Sequence, residues 1–317
     1  MKQQNIADYI KGFKNKNITS LARAITLVES KKPEHKELAR ELIQKILPLT
    51  GKAKKIGITG TPGVGKSTFL ENFGMYLIHK NLSVAVLAVD PTSQKTGGSI
   101  LGDKTRMEQL SAAENAFIRP SPSGETLGGI TAKTREAALL CDAFGFDYIF
   151  VETVGVGQSE VSVSHICDMF ILLMEPGAGD DLQGIKRGIL EVSDLVLMNK
   201  ADGENKKQAL LSQHDYEKSI DLLQAGKEWE TKVQLCSSLN REWFDDIEKI
   251  ILSYFSLHPS ANSFDQLEVW LKDLLKDKFL TRLNSTSLVE DIKKIESGEK
   301  DIITVCDKLF SKMMQND

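Results

Sequence analysis

The sequence is poor in the features that mark most specialised protein classes. Cysteine is scarce: Cys141, Cys167, Cys236 and Cys306 are four thiols far apart in 317 residues. No C-x-x-C pair or Cys/His ligand spacing occurs, which argues against a structural zinc or a disulfide framework and leaves most of these thiols as buried apolar fillers. The five histidines, His35, His79, His165, His214 and His258, are equally dispersed. No run of about 18 apolar residues is present, and the opening "MKQQNIADYIKGFKNK" has no apolar h-region. A cytoplasmic protein with no membrane partner is expected. The net charge of −4 gives no basic excess for nucleic acid. Internal repeats and low-complexity segments are also lacking. What remains, 41% apolar and 26% charged, is the composition of a soluble globular protein.

Within that ordinary composition the chain changes character twice. Residues 1–50 read as a helical segment, with Leu21, Ala24, Ile25 and Val28, then Leu38, Leu42, Ile46 and Leu49, at helical spacing around Pro33. Residues 51–257 alternate short apolar runs with helical stretches. The runs "KIGITG", "SVAVLAVD", "FDYIFVE", "DMFILLM", "DLVLMNK" and "KVQLCSS" are nearly continuous, as in strands covered on both faces. The expected fold is α/β, a doubly wound and mostly parallel sheet. Asp90, Glu152, Asn199 and Ser237 then fall at carboxyl ends of strands, where such sheets bind ligands. Residues 258–317 read as charged helices with one apolar stripe, an extension that pads the core or grips another subunit.

The chemistry begins at "GITGTPGVGKSTF". Gly60, Thr61, Pro62, Gly63, Val64, Gly65, Lys66 and Ser67 spell G-x-x-x-x-G-K-S, with Thr68 following, between a strand and a helix. The glycines let backbone N–H groups face inward around phosphate oxygens. The helix that starts near Lys66 adds its N-terminal donors and dipole. The Lys66 ammonium reaches the β/γ-phosphates, and the Ser67 hydroxyl binds Mg²⁺. These are the marks of a P-loop nucleoside triphosphatase.

The base is read from "LVLMNKADG". Asn199, Lys200 and Asp202 form N-K-x-D about 130 residues after the glycine loop. The Asp202 carboxylate can accept from guanine N1–H and N2–H₂, a donor pair that adenine lacks. Two hydrogen bonds to a charge, at roughly 1.5–3 kcal/mol each, give about a hundredfold discrimination or more. The Lys200 stem can cover the base plane, and Asn199 can tie the loops together. Cys236, Ser237 and Ser238 follow another strand and can offer backbone N–H groups to guanine O6. The expected ligands are GTP and GDP.

Magnesium and a nucleotide-sensing loop are expected nearby. Asp90, Asp103 and Glu152 can hold Mg²⁺ directly or through its waters, together with Ser67. Glu152-x-x-Gly155 stands where many GTPases carry D-x-x-G, and Gly155 and Gly157 allow that loop two positions. Lys66, Glu152 and Gln158 are the candidate catalytic residues, the last two as orienters of the attacking water. Lys104, Arg106, Lys186 and Arg187 are the nearest candidate cations, but no arginine finger is evident. Slow intrinsic turnover, accelerated by a partner, follows.

With these residues assembled, the chain closely resembles the MeaB/ArgK family of P-loop GTPases. The resemblance rests on "GITGTPGVGKSTF", "VAVLAVDPTSQKTGGSILGDKTRM", "VETVGVGQSE" and "GAGDDLQGIKRGILEVSDLVLMNKADG", and covers about residues 18 to 275. It implies a G-protein chaperone that gates cofactor delivery to an adenosylcobalamin-dependent acyl-CoA mutase of the methylmalonyl-CoA type and protects that enzyme from inactivation. It also implies a homodimer built with the C-terminal extension. "EPGAGDDLQGIKRG" matches a segment that in this family transmits the nucleotide state to the mutase, with Asp180 and Lys186 as partners of the nucleotide loop. Two departures stand out: "CSS" where the family commonly has "CSA", and no Arg-Arg pair near "NSFDQLEVWL". A nickel-inserting metallochaperone GTPase would need grouped His or Cys ligands. A kinase would need an acceptor pocket and would yield a phosphorylated product.

Overall fold

The computed structural model describes residues 5–30, 32–90, 107–122, 127–153, 163–177, 187–224, 228–258, 268–276, 287–297 and 299–314. The chain forms two compact units, residues 1–263 and 264–317.

The larger unit is built on seven strands. These are β1 (Lys54–Gly60), β2 (Val84–Asp90), β3 (Ala116–Pro122), β4 (Tyr148–Glu152), β5 (Met169–Met174), β6 (Leu195–Met198) and β7 (Lys232–Leu235). Their order is β3-β2-β4-β1-β5-β6-β7, and every pairing is parallel. The six apolar runs named above all supply strands. The seventh, β3, carries "AFIRPSP", whose two prolines obscure it in the sequence. It is tolerated because β3 lies at the sheet edge, where a missing N–H costs no ladder bond on the open side.

Helices cover both faces. α1 (Ile6–Lys14), α2 (Ile18–Glu29) and α3 (Pro33–Ile46) precede the sheet. Asn5 and Asp8 form a reciprocal capping box that starts α1. α4 (Lys66–His79), α5 (Glu108–Ala112), α6 (Leu127–Phe144), α7 (Arg187–Val192), α8 (Lys206–Gln224) and α9 (Phe244–Leu257) complete the unit. α2 and α3 pack on α6, and the Arg119–Glu29 ion pair, at 2.5 Å, fastens β3 to α2.

The core lies where α4 and α9 meet the centre of the sheet. Phe73 stacks on Phe69 with ring centroids 5.0 Å apart and meets Phe244 and Phe150 edge-on at 5.3 and 6.3 Å. Burying such side chains contributes roughly 1.5–3 kcal/mol each. This packing fixes the axis of α4, and so the position of the loop before it.

The smaller unit contains a helical stretch at 268–276, α10 (Ser287–Glu296) and α11 (Ile302–Met314). Asp301 starts α11 by accepting from the Ile303 and Thr304 N–H groups at 3.0 and 2.9 Å. No helix among the described residues is long and apolar enough to cross a membrane.

Candidate nucleotide site

The site lies at the carboxyl end of the sheet, beginning where β1 turns into α4. Gly60 has φ +148° and Gly65 φ +99°. A Cβ on Gly60 would stand 2.5 Å from the Leu173 carbonyl oxygen of β5, and one on Gly65 would stand 2.6 Å from Asn199 Nδ2. Both positions therefore need glycine for backbone angle and for close approach. Thr61, Pro62 and Gly63 form the exposed rim, whereas Val64 is fully buried beneath it.

α4 differs at its start from α1 and α2. The donors of α1 end on Asn5 and those of α2 on Asn17. α4 begins after Gly65 with no side-chain cap and no acidic residue in its first turn. That leaves its positive end suited to an anion. The buried Lys66 side chain folds back over the loop and donates to the Gly60 carbonyl at 2.6 Å and the Thr61 carbonyl at 3.2 Å. Phosphate oxygens within reach of the same ammonium would give stronger, charge-assisted bonds. Thr68 is exposed one turn on.

Beside this loop, Ser67 Oγ donates to Glu152 Oε1 at 3.1 Å. Glu152 is the last residue of β4, and Asp90 the last of the neighbouring β2, in which Ala88 is the residue level with Glu152. Hydroxyl and carboxylate oxygens suit a small hard cation that keeps several waters. Thr153 anchors the end of β4, donating from Oγ1 to Thr59 Oγ1 at 2.9 Å. Asp103, Gln158, Gly155, Gly157, Lys104, Arg106, Asp180 and Lys186 lie outside the described residues, and Arg187 is the first residue of α7.

The Asn-Lys-x-Asp corner leaves β6 on the other side of the loop. Asn199 is buried and works in two directions. Its Nδ2 donates to the Val64 carbonyl at 2.8 Å, and its Oδ1 accepts from the Ser238 N–H at 3.0 Å and the Ser238 hydroxyl at 2.6 Å. One side chain thus ties the glycine loop to the loop after β7. The sequence points only to the backbone of this loop; the Ser238 hydroxyl contact is a further one that the structure adds. Ser237 Oγ donates to the half-buried Asp202 carboxylate and accepts from the Asn240 N–H. Lys200 sits at φ +58°, a left-handed angle that costs a residue with a Cβ about 1–2 kcal/mol. Such strain persists where the surroundings fix it, commonly at ligand sites. Burial pushes the Cys236 thiol up to about 12, so it stays protonated and acts as filler behind the loop. Cys141 and Cys167 are buried and raised for the same reason, while Cys306 is exposed.

A lysine folded over a glycine loop at the carboxyl end of a parallel sheet, with an Asn-Lys-x-Asp corner on a nearby strand, defines a P-loop nucleotide-binding protein. Residues 21–287 match the family described as methylmalonyl Co-A mutase-associated GTPase MeaB, and the chain belongs to that family. It is similar to a putative GTPase of Caulobacter vibrioides, with 47% identity over 303 residues, 92% of this chain and 93% of the relative. It is also similar to GTPase ArgK of Escherichia coli K12, with 45% identity over 287 residues, 89% of this chain and 87% of the relative. A crystal structure titled LAO/AO transport system kinase superposes with a TM-score of 0.75 at 34% identity, covering 99% of both chains. The chain is a GTPase that binds GTP and GDP.

Proposed function

We propose that this GTPase is a chaperone of an adenosylcobalamin-dependent acyl-CoA mutase, gating cofactor loading and protecting the mutase from inactivation. The match to a mutase-associated GTPase family over residues 21–287 carries this reading. GTP binding and hydrolysis time the interaction. Lys66 and the N–H groups of residues 60–68 hold the phosphates, while Asn199, Lys200, Asp202 and the loop Cys236–Ser237–Ser238 hold guanine. The Ser67–Glu152 hydroxyl–carboxylate pair fits Mg²⁺, with Asp90 and Asp103 as further oxygens. When bound, the ion would offset charge on the β- and γ-phosphate oxygens. Glu152 or Gln158 orients the attacking water.

Intrinsic turnover is slow, and the partner accelerates it. A supplied charge at the transferring phosphoryl is worth roughly 10³–10⁵ in rate. Residues 258–317 form the dimer contact, supported by the outward-facing Leu275, Ile302, Ile303 and Phe310 of the smaller unit. The protein works in the cytoplasm.

The test is phosphate release from GTP, with and without a purified adenosylcobalamin-dependent acyl-CoA mutase. Stimulation of about tenfold or more, with a complex on gel filtration, is expected. An unchanged rate and no complex in either nucleotide state overturn the proposal.

A further inference from the structure

We propose that Glu175 is a positioning residue for nucleotide binding, holding Lys200 in place so that the lysine stem covers the guanine ring. This rests on the guanine reading of Asn199 and Asp202. Glu175 leaves the end of β5 and Lys200 leaves the adjacent β6, in which Met174 and Met198 are level. Lys200 Nζ stands 2.5 Å from Glu175 Oε1. The side chains are 41% and 45% exposed, so solvent and a ligand both reach them.

An exposed ion pair contributes little stability by itself. This one is fixed at both ends. On the lysine side, the strained φ of +58° sets the direction of the side chain, and the Asn199 N–H donates to the Met174 carbonyl at 2.8 Å. The two strand ends therefore cannot slide apart. On the glutamate side, Gly177 turns at φ +84° and its N–H donates to Ser212 Oγ of α8 at 3.2 Å. A Cβ on Gly177 would stand 2.2 Å from Gln208 Nε2, so the turn lies directly against α8.

Two anchored backbones thus present a lysine that is already restrained. A free lysine side chain carries rotamer entropy, part of which would otherwise be lost when the base arrives. Glu175 acts through Lys200, the side chain it pairs with.

Fluorescent-nucleotide displacement tests this on the whole chain. Glu175→Gln should speed GTP and GDP dissociation about two- to fivefold with the melting temperature unchanged, as an exposed pair allows. The factor should be the same for ITP, whose base lacks the exocyclic amine, because ring coverage ignores edge groups. Lys200→Ala should accelerate release at least as much, and adding Glu175→Gln to it should change nothing further. Unchanged release, additive effects in the double variant, or an altered GTP-to-ITP ratio would overturn the role of Glu175. Failure of the wild-type chain to prefer GTP over ATP would instead overturn the guanine reading beneath it.

Discussion

Asp142 and Asp202 stand at opposite ends of the same sheet and use one carboxylate for opposite purposes. At the amino end, Asp142 accepts from the Gly51, Lys52 and Ala53 N–H groups at 2.8, 3.1 and 3.1 Å. Buried Lys55 lies 3.8 Å from it and 3.7 Å from Asp168. Every one of these partners belongs to the protein. At the carboxyl end, Asp202 is half-buried and takes its hydrogen bond from the Ser237 hydroxyl, beside a strained Lys200. A closed polar cluster holds the chain together, whereas an open one is shaped for something that arrives. The same substitution should therefore read out differently at the two ends.

Asp142→Asn should give the larger effect, and on stability. The amide must turn an NH₂ group toward backbone N–H donors or toward Lys55, and the negative charge beside a buried ammonium is lost. Breaking a buried pair in this way costs about 3 kcal/mol or more. Urea denaturation should show a lower midpoint, while GTP affinity of the folded protein stays as it was. A variant as stable as the parent would mean that the amino-end cluster is not structural.

Asp202→Asn should leave the denaturation midpoint nearly unchanged, because the amide oxygen can still accept from Ser237. Its effect falls on selectivity. Two hydrogen bonds from guanine to a charged acceptor are lost, so GTP binding should weaken about a hundredfold. Xanthosine triphosphate should gain, since its base accepts where guanine donates. Calorimetry with both nucleotides checks this, and equal affinities before and after substitution would remove guanine recognition from Asp202.

The two ends also differ in how legible they were. The glycine loop and the Asn-Lys-x-Asp corner are consecutive residues whose chemistry is local, and so they could be read directly. Strands such as β4, Tyr148–Glu152, were legible because a strand buried on both faces needs an unbroken apolar run. β3 was hidden by Pro120 and Pro122 at an edge that permits them. The Asp142 cluster was invisible because its donors lie 89 to 91 residues away. The Ser238–Asn199 hydroxyl contact spans 39 residues and the Glu175–Lys200 pair 25. No local pattern encodes such meetings; the pairing of β1 with β4 creates the first, and the parallel order of β5, β6 and β7 creates the other two.

Ser238→Ala should have the smallest effect and sharpens the comparison most finely. Its hydroxyl adds a second donor to Asn199 Oδ1, which keeps the Ser238 N–H at 3.0 Å when the hydroxyl goes. No acceptor on Asn199 is orphaned, and the contact to the Cys236 thiol at 3.7 Å is a weak one, so the loss is close to that of one ordinary hydrogen bond, about 1 kcal/mol, or roughly fivefold in affinity. The other end of Asn199 holds the Val64 carbonyl within the glycine loop. Slackening it should disturb the cradle whichever nucleotide is bound. Calorimetry should therefore show GTP and GDP weakened by the same factor. A loss confined to GTP would place the effect at the γ-phosphate and separate Ser238 from the link between the base loop and the phosphate loop.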